Sequence, residues 1–216
     1  MKKYDYILFD LDGTLSDSGL GIVNSVVYAM QQLGLEVGDR ESLSKFVGPP
    51  LNEAFQTLLG LSAEQAKAGV SLYRKYYREK GILENEMYEG IEELLIKLRD
   101  AGKILAVATS KPEPFARAII ERYGIDKYFM YVGGCTLEET RSKKEEVIAY
   151  VMDCCGITDR SKAVMVGDRF YDVVGARNSG IDCIGVLYGY GERKELEEAG
   201  AAAIAASPGE LAAILI

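Results

Sequence analysis

The sequence predicts an α/β fold, a parallel sheet covered on both faces by helices and interrupted early by a helical insertion. Three observations carry this reading. Short apolar runs that end in acidic or glycine-rich segments recur along the chain, and helical stretches with one apolar face lie between them. One long stretch, residues 16–86, offers helices but no convincing strand.

Tyr6-Ile7-Leu8-Phe9 reads as a buried strand passing into Asp10-Leu11-Asp12-Gly13-Thr14-Leu15. The insertion follows. Ile22, Val23, Val26, Val27, Met30 and Leu33 form one helical stripe, and Ser62-Ala63-Glu64-Gln65 caps a helix that runs through Leu72-Tyr73-Arg74-Lys75-Tyr76-Tyr77. The helical spacing of these tyrosines marks packing rather than a base-stacking platform. A helical block placed after the first strand lies above the strands' carboxyl ends, the side where open sheets bind ligands. We therefore expect a core domain of residues 1–15 and 87–216 and a helical lid domain of 16–86.

Beyond the insertion, Ile91, Leu94, Leu95 and Leu98 mark a helix stopped by Gly102. A strand from Ile104 to Ala108 leads into Thr109-Ser110-Lys111-Pro112, with Pro112 in the first turn of the next helix. Ser142-Lys143-Lys144-Glu145 has capping-box form ahead of Val147, Ile148 and Val151, with Gly156 as the stop. Ala163 to Val166 is a third strand, ending at Gly167-Asp168. Cys183 to Leu187 is a fourth, ending in Tyr188-Gly189-Tyr190-Gly191. Ser207-Pro208-Gly209-Glu210 opens the last helix.

Composition narrows the chemistry. The chain has 216 residues, with 25 Lys+Arg against 33 Asp+Glu for a net charge of −8, which argues against a general nucleic-acid or anionic-membrane binder. It contains no histidine, so no Ser–His–Asp or Cys–His nucleophile, phosphohistidine or His-ligated metal operates within it. Four cysteines show no CxxC pair and are expected as free thiols of a cytoplasmic protein. Met1-Lys2-Lys3 lead into no apolar signal segment, and no run approaches the roughly 18 apolar residues of a membrane span.

Carboxylates are then the first place to look. Asp10 and Asp12, at i and i+2 after a strand, face the same side of an extended chain, and Gly13 permits a tight turn. Asp168 and Asp172 stand at a second strand end. Either group alone reads as an acidic turn or a helix cap; together they form a hard oxygen site suited to Mg²⁺. Thr109 and Ser110, at a helix N-terminus, suit an anion. Lys143 and Lys144 oppose the macrodipole of their helix, which implies a task for one of them; Lys144 is preferred and the choice stays open.

These segments resemble the four motifs of the haloacid dehalogenase (HAD) superfamily, aspartate-nucleophile phosphohydrolases with a Rossmann-like core. Asp10-x-Asp12-Gly13-Thr14 is similar to motif I, Thr109 to motif II, Lys144 to motif III and Gly167-Asp168-x-x-x-Asp172 to motif IV, and the inserted helices resemble the C1 cap. Val47-Gly48-Pro49-Pro50-Leu51, Ala108-Thr109-Ser110-Lys111-Pro112-Glu113 and Gly185-Val186-Leu187-Tyr188-Gly189-Tyr190-Gly191 resemble a branch labelled 5′-nucleotidase or phosphoglycolate phosphatase. The resemblance implies that Asp10 attacks phosphorus and Asp12 serves as acid and then base. Asp10, the Asp12 carbonyl and Asp168 would hold Mg²⁺, with Asp172 behind them. Thr109 and Lys144 would grip the phosphoryl group.

Gly13, Thr14, Ser110, Lys111, Gly48, Pro49, Lys143 and Tyr188 are the substrate-binding candidates. Asp12 favours phosphoryl transfer over dehalogenation, because a halide leaving group needs no acid. The expected partner is a small phosphorylated metabolite such as a nucleoside monophosphate or phosphoglycolate, with neither nucleic acid nor membrane. A phosphomutase of the β-phosphoglucomutase type and a catalytically retired binding protein are the competing readings.

Overall fold

The structure, a computed structural model, describes residues 4–138 and 140–216. Met1–Lys3, weighed above for a signal segment, lie outside the described residues. The chain forms two compact units, Met1–Ser16 with Met87–Ile216, and Asp17–Glu86.

Strand β1 (Tyr6–Phe9) opens the first unit. The two-residue strand β2 (Ser16–Asp17) leads into α1 (Gly19–Gln32), α2 (Leu51–Leu59) and α3 (Ala63–Glu79), and β3 (Glu86–Met87) leads out. The first unit then continues through α4 (Ile91–Asp100), β4 (Ile104–Pro112), α5 (Glu113–Arg122), β5 (Phe129–Cys135) and α6 (Lys144–Cys154). It ends with β6 (Ala163–Gly167), α7 (Phe170–Asn178), β7 (Asp182–Val186), α8 (Arg193–Ala199), β8 (Ala203–Ala205) and α9 (Pro208–Leu215).

Six strands form a parallel sheet in the order β5-β4-β1-β6-β7-β8. Ile7, Leu8 and Phe9 are fully buried, which is why the central strand reads as an unbroken apolar run. The pleat sends Leu8, Ala106, Met165 and Cys183 to one face, where they pack on Val147, Ile148 and Val151 of α6 and on Val173 and Ala176 of α7. Strand order reverses at β1, between β4 and β6. The carboxyl ends of β1 and β6 are therefore the switch point at which such sheets bind ligands.

Four local expectations shift. Strand β4 does not stop at Ala108 but pairs with β5 as far as Pro112, so Pro112 is the N-cap of α5 and Pro114 occupies its first turn. The strand read as Cys183 to Leu187 runs from Asp182 to Val186. Strands β5 and β8 at the two sheet edges extend the four strands read from sequence. Helix α6 begins one residue later than its Ser142 cap suggests. Lys143 is the N-cap, and Glu146 accepts hydrogen bonds from the Ser142 and Lys143 N–H groups at 3.1 Å each. The other two caps stand as read: Ser62 accepts from the Gln65 N–H at 3.3 Å and Ser207 from the Glu210 N–H at 3.2 Å.

In the helical unit, Ile22, Val26, Val27 and Met30 of α1 are buried, while Val23 and Leu33 are half-buried. Tyr73 and Tyr77 stack at 5.6 Å between ring centroids, and Tyr76 packs on Tyr28. Cys135, Cys155 and Cys183 are buried and Cys154 is exposed, all four as free thiols. Among the described residues no helix is long and apolar enough to cross a membrane.

Candidate active site

The site grows from adjacent strand ends. Beyond β1, the Asp10 N–H donates to the Val166 carbonyl at 2.9 Å, extending the pairing one residue past the strand and bringing Asp10 beside the end of β6. Asp168 follows β6. Asp172 lies in the first turn of α7, where its carboxylate accepts the Arg169 N–H at 3.1 Å. Each of these three buried aspartates offers an oxygen within 4.8 Å of the others. Lys144 at the start of α6 reaches into the group, its Nζ 3.0 Å from Asp10 Oδ1 and 2.7 Å from Asp172 Oδ1, and it donates to the Ala108 carbonyl at 3.2 Å. Lys143 is exposed. Of the two lysines, Lys144 is the one that meets the aspartates.

Burial dominates the electrostatics. It pushes the Asp10 carboxyl above its usual range against the pull of Lys144, and Asp172 adds to the rise. Asp168 is pushed well above its usual range by burial first, then by Asp172 and Asp10. Burial works against the Lys144 charge too, yet Asp10 and Asp172 overcome it and hold the proton more tightly than usual. Three carboxylates against one ammonium leave an excess of negative charge in a buried, oxygen-lined space. That excess and the all-oxygen donor set fit a hard divalent cation such as Mg²⁺.

The surrounding loops are cut to this space. Gly13 has φ +81°, and a Cβ there would run into the Asp168 carboxylate. Asp168 also accepts the Thr14 hydroxyl at 3.4 Å and the Tyr190 N–H at 2.8 Å. Gly189 and Gly191 press so closely on Gly13 and Asp168 that neither position has room for a side chain. The glycine-rich end of the fourth apolar run is thus a wall of the site. The apolar run announces the strand, but nothing in it announces this contact.

The other predicted residues fall as follows. Thr109 is buried and its hydroxyl bonds to Asp10, lowering that carboxyl's proton affinity. Ser110 is half-buried beside it. Asp12 stands apart from the triad, both of its carboxylate oxygens held by Lys111 Nζ at 2.8 and 2.7 Å. Lys111, a substrate-binding candidate, thus faces an aspartate. Tyr188 packs edge-on against Tyr88 at 5.3 Å, and its hydroxyl is buried without a hydrogen-bond partner among the described residues. Gly48 and Pro49 belong to the helical unit, just ahead of α2. Sequence reasoning missed Glu195 of α8, which accepts from Arg169 Nε at 2.9 Å and the Phe170 N–H at 2.8 Å and so fixes the turn between Asp168 and Asp172.

The sequence profile of the haloacid dehalogenase-like hydrolases matches residues 7–186. The chain is 42% identical to a 5′-nucleotidase of Pseudomonas aeruginosa over 90% of its own length and 87% of the relative's. It is also 42% identical, over 86% of its length, to the tyrosine-protein kinase PtkA of Mycobacterium tuberculosis, of which it spans 62%. The crystal structure of a predicted phosphatase from Clostridium acetobutylicum superposes with a TM-score of 0.96 at 44% identity, covering 99% of this chain and 98% of that one. With six parallel strands, a helical insertion directly after the first, and four aspartates on two neighbouring strand ends, this chain belongs to the haloacid dehalogenase-like hydrolases and is a phosphatase among them.

Proposed function

We propose that this phosphatase hydrolyses small phosphomonoesters through an aspartyl-phosphate formed on Asp10. The observation that carries the reading is the buried Asp10–Asp168–Asp172 group with the Lys144 ammonium against Asp10 and Asp172. A carboxylate so placed is a nucleophile rather than a structural acid. An Asp10 oxygen attacks phosphorus and the bond to the leaving oxygen breaks, while Asp12 donates that oxygen a proton. Asp12 then takes a proton from the water that attacks the aspartyl-phosphate, releasing phosphate and restoring Asp10. Thr109 and Lys144 hold phosphoryl oxygens as charge moves among them.

Asp10, the Asp12 carbonyl and Asp168 would hold Mg²⁺, with Asp172 ordering its surroundings. The ion supplies charge neutralisation at the phosphoryl oxygens. Ser110 and the Tyr188 hydroxyl, which has no hydrogen-bond partner among the described residues, would face the organic part of the ester. The 42% identity to a protein named 5′-nucleotidase supports nucleoside monophosphates as first candidates, with phosphoglycolate beside them. This chemistry suits a cytoplasmic enzyme acting on metabolites.

Phosphate release from a panel of small esters with Mg²⁺ tests the reading. Asp10→Asn is expected to abolish turnover while leaving the circular dichroism spectrum unchanged, and EDTA to do so reversibly. Turnover retained by Asp10→Asn would overturn it.

A further inference from the structure

We infer that Lys111 is a positioning residue, holding the Asp12 carboxylate in the orientation from which it serves the leaving oxygen. The inference rests on the reading of Asp12 as the acid and base. Asp10 is fixed by several groups: the Leu11 N–H at 2.8 Å, Lys144 at 3.0 Å and Thr109. Asp12 has a single side-chain partner among the described residues, and that partner is Lys111.

The fold is built to bring the two together across 99 residues of sequence. Strand β4 is paired with β5 in register from Ala106↔Tyr131 to Thr109↔Gly134, and the next pair is Pro112↔Cys135. Ser110 and Lys111 thus form a bulge, falling between two paired residues of the strand. Alternation puts Lys111 on the same side of the strand as the buried Thr109, with Ser110 turned the other way. Within the bulge Lys111 keeps that inward direction, its side chain only 4% exposed. Gly134 makes the bulge possible, because a Cβ there would strike the Lys111 carbonyl.

The bulge is also pinned from outside the site. Arg141 donates to the Gly134 carbonyl through Nε at 3.0 Å and Nη2 at 2.8 Å and pairs with Glu113 at 3.4 Å. The Lys111 N–H donates to Thr109 Oγ1 at 3.2 Å. Burying a lysine is costly unless its charge is met, and here Asp12 meets it. An acid that serves a leaving oxygen must hold one orientation to be effective.

Leaving-group dependence tests this. A p-nitrophenolate leaves without a proton, whereas an alkoxide needs one, so loss of Asp12 orientation should fall on alkyl esters. In Lys111→Met, kcat/KM with ethyl phosphate at saturating Mg²⁺ is expected to fall about 100-fold. The loss on p-nitrophenyl phosphate should be smaller by about tenfold or more. Asp12→Asn should show the same selectivity, and the double variant should be no slower than Asp12→Asn. Lys111→Gln fills similar space and gives a second measurement if Met impairs folding, which circular dichroism reports. Equal losses on both esters, a change confined to KM, or losses that multiply in the double variant would overturn the inference. An Asp12→Asn enzyme without leaving-group selectivity would instead overturn the acid reading on which it rests.

Discussion

At the scale of single residues, Asp10 and Asp168 share a buried space with Asp172 and one ammonium, and this governs how the metal-free protein responds to pH. Burial raises both carboxyls above the usual aspartate range, and unfolding returns them to about 4. A group that holds its proton more tightly when folded stabilises the fold at low pH, and that contribution is lost as pH rises through the folded value. The contribution of these two aspartates to the Tm in EDTA is therefore expected to decline as pH rises above about 4 through the raised folded values, opposite in sign to that of a carboxylate held by a surface lysine. Saturating Mg²⁺ should remove the decline, since the ion takes the place of the protons. Asp168→Asn should flatten the EDTA slope, and melts of both proteins across pH with and without Mg²⁺ check it. The aspartates themselves were legible because an i, i+2 pair and a second acidic turn sit at strand ends. The Lys111–Asp12 pair was not, because its members lie 99 residues apart and no local pattern links them.

At the scale of elements, the turn after β7 does as much for the site as any strand. Gly191 lies against the Asp168 carbonyl with no space for a methyl group, and the Tyr190 N–H binds the Asp168 carboxylate. Gly191→Ala must push the turn away and loosen Asp168. The Mg²⁺ concentration for half-maximal activity is expected to rise about tenfold or more, as when a metal ligand loses its supporting hydrogen bond. A Mg²⁺ titration of activity measures it. Helices α1, α3, α4 and α9 could be read directly, since their apolar stripes or Ser caps are strong local signals. Strands β5 and β8 could not. β5 is an edge strand that carries Gly133-Gly134 where a side chain would strike Val151 or Lys111, and β8 is three residues in an alanine-rich stretch. Edge strands bury less, so their sequences say less. The one-residue shift at α6 has a similar cause: Glu146 caps the helix from inside, and the conspicuous Ser142 does not.

At the scale of the whole molecule, every member of the aspartate–lysine group belongs to one of the two compact units. Ligand binding stabilises the part of a protein that holds the ligand. Mg²⁺ is therefore expected to slow amide exchange in β1, β6 and the start of α7, and to leave α1 and α3 exchanging at nearly their metal-free rates. Hydrogen–deuterium exchange with peptide mapping, with and without Mg²⁺, measures both units in one experiment. The junction of Lys143 and Lys144 has a further consequence for covalent labelling. Every proton of the Lys144 ammonium has an acceptor within 3.2 Å, and no lone pair is on offer to an electrophile. Its neighbour stands in solvent. An amine-directed acylating reagent applied to the folded protein should mark Lys143 and pass over Lys144. The two become equally reactive only when the strand ends come apart, so one tryptic peptide reports whether this site is assembled.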